Sequence, residues 1–274
     1  MTRLPALRDA HVHSALADLA AVRRGGIAAV TDLGGVPADL ARLGGPGLPV
    51  VRYAGAFLTA PGGYPSDRAW APPGCWRFVR SPADAAEAAA EQRAAGATLL
   101  KVCLNADAGP VPDRATVAAV VAAGLPVVAH AQGPGMVELA LDAGVPRLAH
   151  TPWTGPLDDG LLRACAARQV WISTLAIHGG GDRDAALRNL RLFLGHGGEV
   201  RYGTDLGNGP QPPGVNPHEV RALQSAGLSP DDVLAAMTAV DPDDLPAPDC
   251  VVPGGLDLGP ARFADSLATA RVAD

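Results

Sequence analysis

Five residues of this 274-residue chain have types and spacings suited to metal chemistry, His11 and His13, one residue apart, then His130, His150 and Asp205, and a single lysine, Lys101, stands among them. Imidazole nitrogens and a carboxylate suit Zn2+ best, and Mn2+, Fe2+ or Co2+ can take the same ligands. Lys101 is the only lysine among 22 basic side chains, the others being arginine. With the excess of Ala, Gly and Pro, this reads as a coding bias that has replaced lysine wherever arginine serves. Position 101 therefore calls for something that a permanently protonated guanidinium cannot do.

The elements that must position these residues follow from the hydrophobic pattern. Short β-branched apolar runs alternate with Ala/Leu/Arg-rich amphipathic segments along the chain, the pattern of βα units around a parallel sheet. Eight strands are expected, over 6–12, 27–33, 49–57, 98–104, 126–131, 147–151, 170–175 and 200–205. Helices are expected between them, such as 82–95 after the cap-like Ser81 and 113–123 before the stop at Gly124. No dinucleotide-type glycine fingerprint follows the first strand, so the pattern predicts an α/β (β/α)8 TIM barrel rather than an open doubly wound sheet.

In such a barrel the chemistry sits where strands end. His11 and His13 end strand one, Lys101 lies in strand four, His130 and His150 end strands five and six, and Asp205 ends strand eight. Alternation along a strand turns His11 and His13 to one face, where they can share an ion. Cys103, two residues beyond Lys101, shares the inward face and is expected to line the pocket, since no local base would make it a nucleophile. The longest connection, 58–80, reads as a lid or binding loop and carries Tyr64, Trp70 and Trp76. With Trp153 after strand six, these aromatics are expected to form an apolar substrate pocket. His178, beside Gly179, Gly180 and Gly181, is a candidate substrate contact. His218 is expected to start a helix in a structural role, and His196 to lie in a loop at the opposite face.

Composition narrows the class further. The net charge of −6, with 48% hydrophobic and 18% charged residues, describes an ordinary globular protein without a nucleic-acid footprint. No apolar stretch reaches the roughly 20 residues of a membrane span, and the N-terminus has no secretory h-region, so a soluble cytoplasmic protein without membrane partners is expected. Cys75, Cys103, Cys165 and Cys250 are too scattered for a zinc knuckle or a disulfide framework and are read as thiols. The barrel is expected over 1–240, and the Pro/Gly/Asp-rich segment 241–274 as an irregular tail packed on it.

The segments carrying these residues, DAHVHS, VTDLGG, AGAFLTAPGGY, LLKV, VVAHAQGPGMVELALDAGVPRLAHT and YGTD before NPHEV, together resemble the amidohydrolase superfamily of metal-dependent hydrolases. The likeness runs over nearly the whole chain, nearest to the branch of imidazolonepropionase-like and Xaa-Pro dipeptidase-like enzymes. The resemblance implies a binuclear centre in which His11, His13 and Asp205 hold one divalent ion and His130 and His150 the other. Lys101, carboxylated by CO2, would bridge the two. It also implies a metal-bound hydroxide that attacks a carbon–nitrogen bond of a small amide, cyclic amide or dipeptide, with Asp205 as general acid and base. Tyr64, Trp70, Trp153, His178 and Cys103 would contact substrate. Only ten residues precede His11, so the accessory β-sandwich common in such enzymes is expected to be missing or vestigial. Lactone or phosphotriester hydrolysis would use the same ligands. Hydrolytic deamination is disfavoured, because His130-Ala131-Gln132-Gly133 lacks the glutamate that related deaminases carry. A non-catalytic metal-binding scaffold fits least, since decay would erode ligands and all six stand.

Overall fold

The computed structural model describes residues 1–273 and shows a mixed α/β fold. Its strands are β1 (Thr2–Leu4), β2 (Arg8–Val12), β3 (Ala29–Asp32), β4 (Val50–Tyr53), β5 (Phe57–Thr59), β6 (Trp76–Phe78), β7 (Leu100–Asn105), β8 (Val127–Gln132), β9 (Arg147–Leu148), β10 (Val170–Ile172), β11 (Glu199–Arg201), β12 (Cys250–Val252) and β13 (Arg271–Val272). A parallel seven-stranded sheet has the order β11-β10-β9-β8-β7-β5-β6, and a parallel three-stranded sheet the order β2-β3-β4. Among the described residues no helix is long and apolar enough to cross a membrane.

The two parallel sheets are linked by backbone hydrogen bonds and by the chain that runs from one into the other. Beyond β11 the chain bonds to β2 and the residue after it: Ala10 N donates to Tyr202 O (2.9 Å), Asp205 N to His11 O (2.8 Å) and His13 N to Leu206 O (2.7 Å). The strand expected over 49–57 is broken in two. Its first part, β4, pairs with β3, and its second, β5, pairs with β7. Gly55 sits at the break with φ +73°, and a Cβ there would meet Gln92 Oε1 at 2.4 Å. That oxygen is engaged: it accepts from Ala56 N at 2.7 Å, replacing a strand partner at the kink.

The long 58–80 connection is less open than its length suggests, because it contains β6, which extends the sheet as a parallel neighbour of β5. Trp76 therefore lies in a strand, half-buried against the Phe57–Cys75 cluster, and does not line the cavity with the other loop aromatics. The helices fall within about a residue of expectation. Pro82–Ala94 is capped by Ser81, which accepts from Asp84 N, and Arg114–Ala122 by Asp113, which accepts from Thr116 N.

Residues 241–273 are more regular than the irregular tail expected over 241–274 from composition. They contain β12, β13 and the helix Phe263–Leu267. β12 pairs antiparallel with both β1 and β13, so the two chain ends form a small three-stranded sheet of their own.

Side chains facing inward stack in tiers, since residues i and i+2 of a strand share a face. A small apolar cluster takes Leu33, Ala54, Leu99, Val128, Ala149 and Ile172, one from each of six successive βα units. Two residues beyond Leu99 and Val128 stand Lys101 and His130. Two residues before Ala54 and Ala149 stand Arg52 and Arg147. The opposite faces, such as Leu100, Val102 and Leu104 of β7, are fully buried in the larger core toward the helices. Each such side chain contributes about 2 kcal/mol of burial.

Below the apolar tier, Asp241 draws together three arginines: Arg147 Nη2 at 2.8 Å, Arg201 Nη2 at 3.5 Å and Arg52 Nη2 at 3.7 Å. Asp244 binds Arg52 Nη1 at 2.9 Å. Removing a carboxylate here leaves buried guanidinium charge uncompensated. Asp241→Asn is expected to destabilise the fold by about 3 kcal/mol in chemical denaturation; an unchanged midpoint would show that water solvates these arginines well enough without it.

Candidate metal centre

All six candidate ligands line one cavity of about 680 Å³. Its base is set by strand chemistry. The register of β2 against β3 shifts between Asp9 and Val12, a bulge of the kind that re-aims side chains. Asp9, buried beneath, accepts from His11 N (3.1 Å), Thr204 N (3.1 Å) and Thr204 Oγ1 (2.6 Å), locking the His11 segment to the Asp205 segment. Gly203 between them admits no side chain, because a Cβ there would meet Ile172 Cγ2 at 2.3 Å and His11 Cβ at 3.2 Å. Asp205 has left-handed backbone, φ 53°, so it turns out of the strand line that sequence alone would extend to 205.

The first cluster is His11, His13 and Asp205, whose ligand atoms all lie within 4.8 Å of one another. His11 Nδ1 lies 2.8 Å from Ala149 O and His13 Nδ1 3.1 Å from Gly34 O. Each contact places a proton on Nδ1 and leaves the lone pair on Nε2. Both Nε2 atoms then face the same carboxylate oxygen, Asp205 Oδ1, at 3.1 and 3.2 Å. His11 Nε2 and Asp205 Oδ1 are buried with no hydrogen-bond partner. Buried acceptors converging without a donor are what a divalent cation would satisfy, and the donor set fits one. Asp205 Oδ2 is held by Asn208 Nδ2 at 2.8 Å.

Protonation states of His11 and Asp205 agree with a ligand role. Burial pushes His11 down to about 4. Burial also disfavours charge on His13, but the Asp205 and Asp32 carboxylates outweigh that and raise it, so without a cation a proton on its Nε2 bridges to Asp205 Oδ1, and an ion bound there would displace that proton. For Asp205, burial opposes ionisation, yet His11 and His13 hold it well below the usual carboxylate range.

The second group is His130, His150 and Lys101. His150 Nδ1 bonds Thr174 Oγ1 at 2.9 Å, leaving Nε2, whereas His130 uses Nε2 toward Gln132 Oε1 at 3.2 Å, leaving Nδ1. Burial lowers His130 to about 3 and holds His150 well below the ordinary imidazole value, so both are neutral bases. Lys101 is 2% exposed, and among the described residues its amine makes no hydrogen bond or ion pair. Burial lowers it to about 8.

Aromatic rings wall off the ligands. Tyr64 stacks on His130 (centroids 5.1 Å apart), Trp153 meets His130 and His150 edge-on, and His178 stacks on Trp153 at 4.7 Å. Trp70 packs against Tyr64 and Phe57, and Cys103 completes the wall beside Lys101. The cavity thus gathers Tyr64, Trp70, Trp153, His178 and Cys103, while Trp76, expected with them, stays in the sheet. His196 and His218 lie elsewhere. His196 caps a helix and bonds Asp159 at 2.7 Å, while His218 follows the cap residue Asn216.

Sequence reasoning missed several supporting residues. Gln132 was legible as the i+2 neighbour of His130 on the same face. Thr174, φ 45°, is held over His150 by a turn that Glu219 fixes, its carboxylate accepting from Leu175 N (2.9 Å) and Ala176 N (2.7 Å). Asp32 accepts from Ser14 N (2.6 Å) and Gly34 N (2.8 Å), fixing the carbonyl that orients His13. No local pattern reports such long-range contacts.

In calorimetric titration with Zn2+, His13→Ala is expected to weaken binding by more than the about 10–100-fold that loss of an outer-shell partner costs. Undiminished affinity would place the ion elsewhere.

No protein-family model and no curated protein matches the chain. Solved structures do. A Xaa-Pro dipeptidase with bound methionine in its active site aligns at TM-score 0.70 and 19% identity, over 86% of this chain and 74% of that one. The Aspergillus niger (A. niger) ochratoxinase aligns at 0.72 and 17%, over 86% and 70%. A molinate hydrolase aligns at 0.67 and 15%, over 99% and 82%. At these identities the likeness is one of fold.

Proposed function

We propose that the two parallel sheets act as one (β/α)8 barrel and that the cavity at its strand ends is the active site of a metal-dependent amidohydrolase. The reading rests above all on His11 Nε2 and His13 Nε2 converging on Asp205 Oδ1. Backbone bonds from Ala10, His13 and Asp205 across the β2 edge support closure.

In this reading His11, His13 and Asp205 hold one divalent ion, zinc by donor type, and His130 and His150 a second. Lys101 would join them as a carbamate: its neutral amine attacks CO2, a C–N bond forms, and the amine proton leaves to solvent. The unpaired, buried amine held near 8 supports this, because an appreciable fraction is uncharged at neutral pH. An arginine could not react in this way, which accounts for the single lysine.

Bound ions would polarise the scissile carbonyl and acidify an attacking water. The chain's own residues supply the rest. Asp205 Oδ1, aimed into the cavity while Asn208 holds Oδ2, takes the proton of the attacking water and returns it to the leaving nitrogen as the C–N bond breaks. Tyr64, Trp70 and Trp153 exclude bulk water and hold the substrate's apolar groups. The reaction is hydrolysis of a small-molecule carbon–nitrogen bond in an amide, cyclic amide or dipeptide.

The test is turnover of a panel of amides, lactams and dipeptides by wild type and Asp205→Asn. Asp205→Asn is expected to lose about 10³-fold in kcat while retaining most metal. Normal turnover by the variant would remove Asp205 from the mechanism, and no C–N hydrolysis by the wild type would refute the function.

A further inference from the structure

We propose that the cavity takes substrates with no formal charge flanking the scissile bond, of the neutral, aryl- or alkyl-substituted amide class, and not zwitterionic dipeptides. The inference deepens the hydrolase reading and rests on it for the identity of the site.

The charged side chains on the cavity wall are Asp205 and Lys101, both committed to the polar centre. One side of the remaining wall is Phe57, Tyr64 and Trp70, and the other is Trp153, Ile177 and His178. The mouth adds only the uncharged amides of Gln132, Asn208 and Gln211. His178 supplies no cation, since it is stacked on Trp153 and burial holds it near 4.

The nearest arginines are turned to other work. Arg68 lies over the Tyr64 ring at 5.6 Å, where its Nε pairs with Asp67 at 3.2 Å, and it is not on the cavity wall. Arg183 lines an adjoining open depression, beyond Pro210 and Gln211 of the cavity mouth, and is not on the cavity wall. A dipeptide would bring a carboxylate and an ammonium into this space, and beyond the metal-binding centre neither would meet an opposite charge on the walls. Such groups are strongly penalised when they leave water unpaired. A neutral substrate escapes that penalty and gains from aromatic faces on both sides. A volume of about 680 Å³ admits a ligand with two ring-sized substituents.

The probe is a matched pair, N-benzoylprolinamide and N-benzoylproline, which differ only in a carboxamide against a carboxylate. Affinity is read by calorimetry and cleavage by product analysis, on the zinc-loaded full chain. The amide is expected to bind at least about tenfold more tightly. Equal or tighter binding of the carboxylate, or binding of neither, overturns the proposal. Preferential binding of the amide without cleavage of either would sustain the substrate class and count against the hydrolase reading. Efficient cleavage with preference for the carboxylate would do the reverse.

A second variant places a cation on the wall. Trp70 is half-exposed at the rim, so Trp70→Arg can fold without burying the new charge. It is expected to shift the ratio toward benzoylproline by about tenfold. An unchanged ratio would mean that wall charge does not set selectivity, and would also overturn the proposal.

Discussion

Two imidazole nitrogens facing one carboxylate oxygen at 3.1 and 3.2 Å make an arrangement that cannot stand alone in a buried site. With both Nδ1 atoms donating to backbone carbonyls, the facing atoms of the neutral rings and the carboxylate are all acceptors, which a shared cation would satisfy. Much of the surrounding structure holds that geometry. Asp9 ties the two strands together beneath it, Gly203 lets them approach, and Asp32 fixes the loop whose carbonyl orients His13. The site is therefore preorganised by groups that never reach the cavity.

The tiers below carry the same logic. Small and aliphatic residues from six βα units form a dry floor, and the polar centre stands two residues beyond it. At the far end of the strands, four arginines, Arg8, Arg52, Arg147 and Arg201, are gathered by Asp241 and Asp244 just past the helix Pro230–Thr238. Charge is thus confined to the two ends of the parallel strands, with apolar side chains between.

The central residues were legible because their signal is local. His11 and His13 needed only strand alternation, and Lys101 stood out because the chain spends no other lysine. Strand four and the helices beside it were readable from a continuous buried run and from N-cap residues. What escaped was non-local. The break at Gly55 depends on Gln92 from a helix 36 residues away in sequence. The pairing of the chain ends depends on residues separated by the whole fold, and β6 hides among prolines and glycines in a segment whose composition reads as loop. Trp76 shows the consequence, since an aromatic that looks like its loop neighbours packs in the sheet instead.

The central claim, that Lys101 completes a two-ion centre with five flanking ligands, is tested most directly by metal content. The full chain would be purified with bicarbonate and without chelators, and its metals counted by inductively coupled plasma mass spectrometry. The account predicts about two zinc-type ions per chain. A single ion per chain, or none that added metal restores, would contradict it.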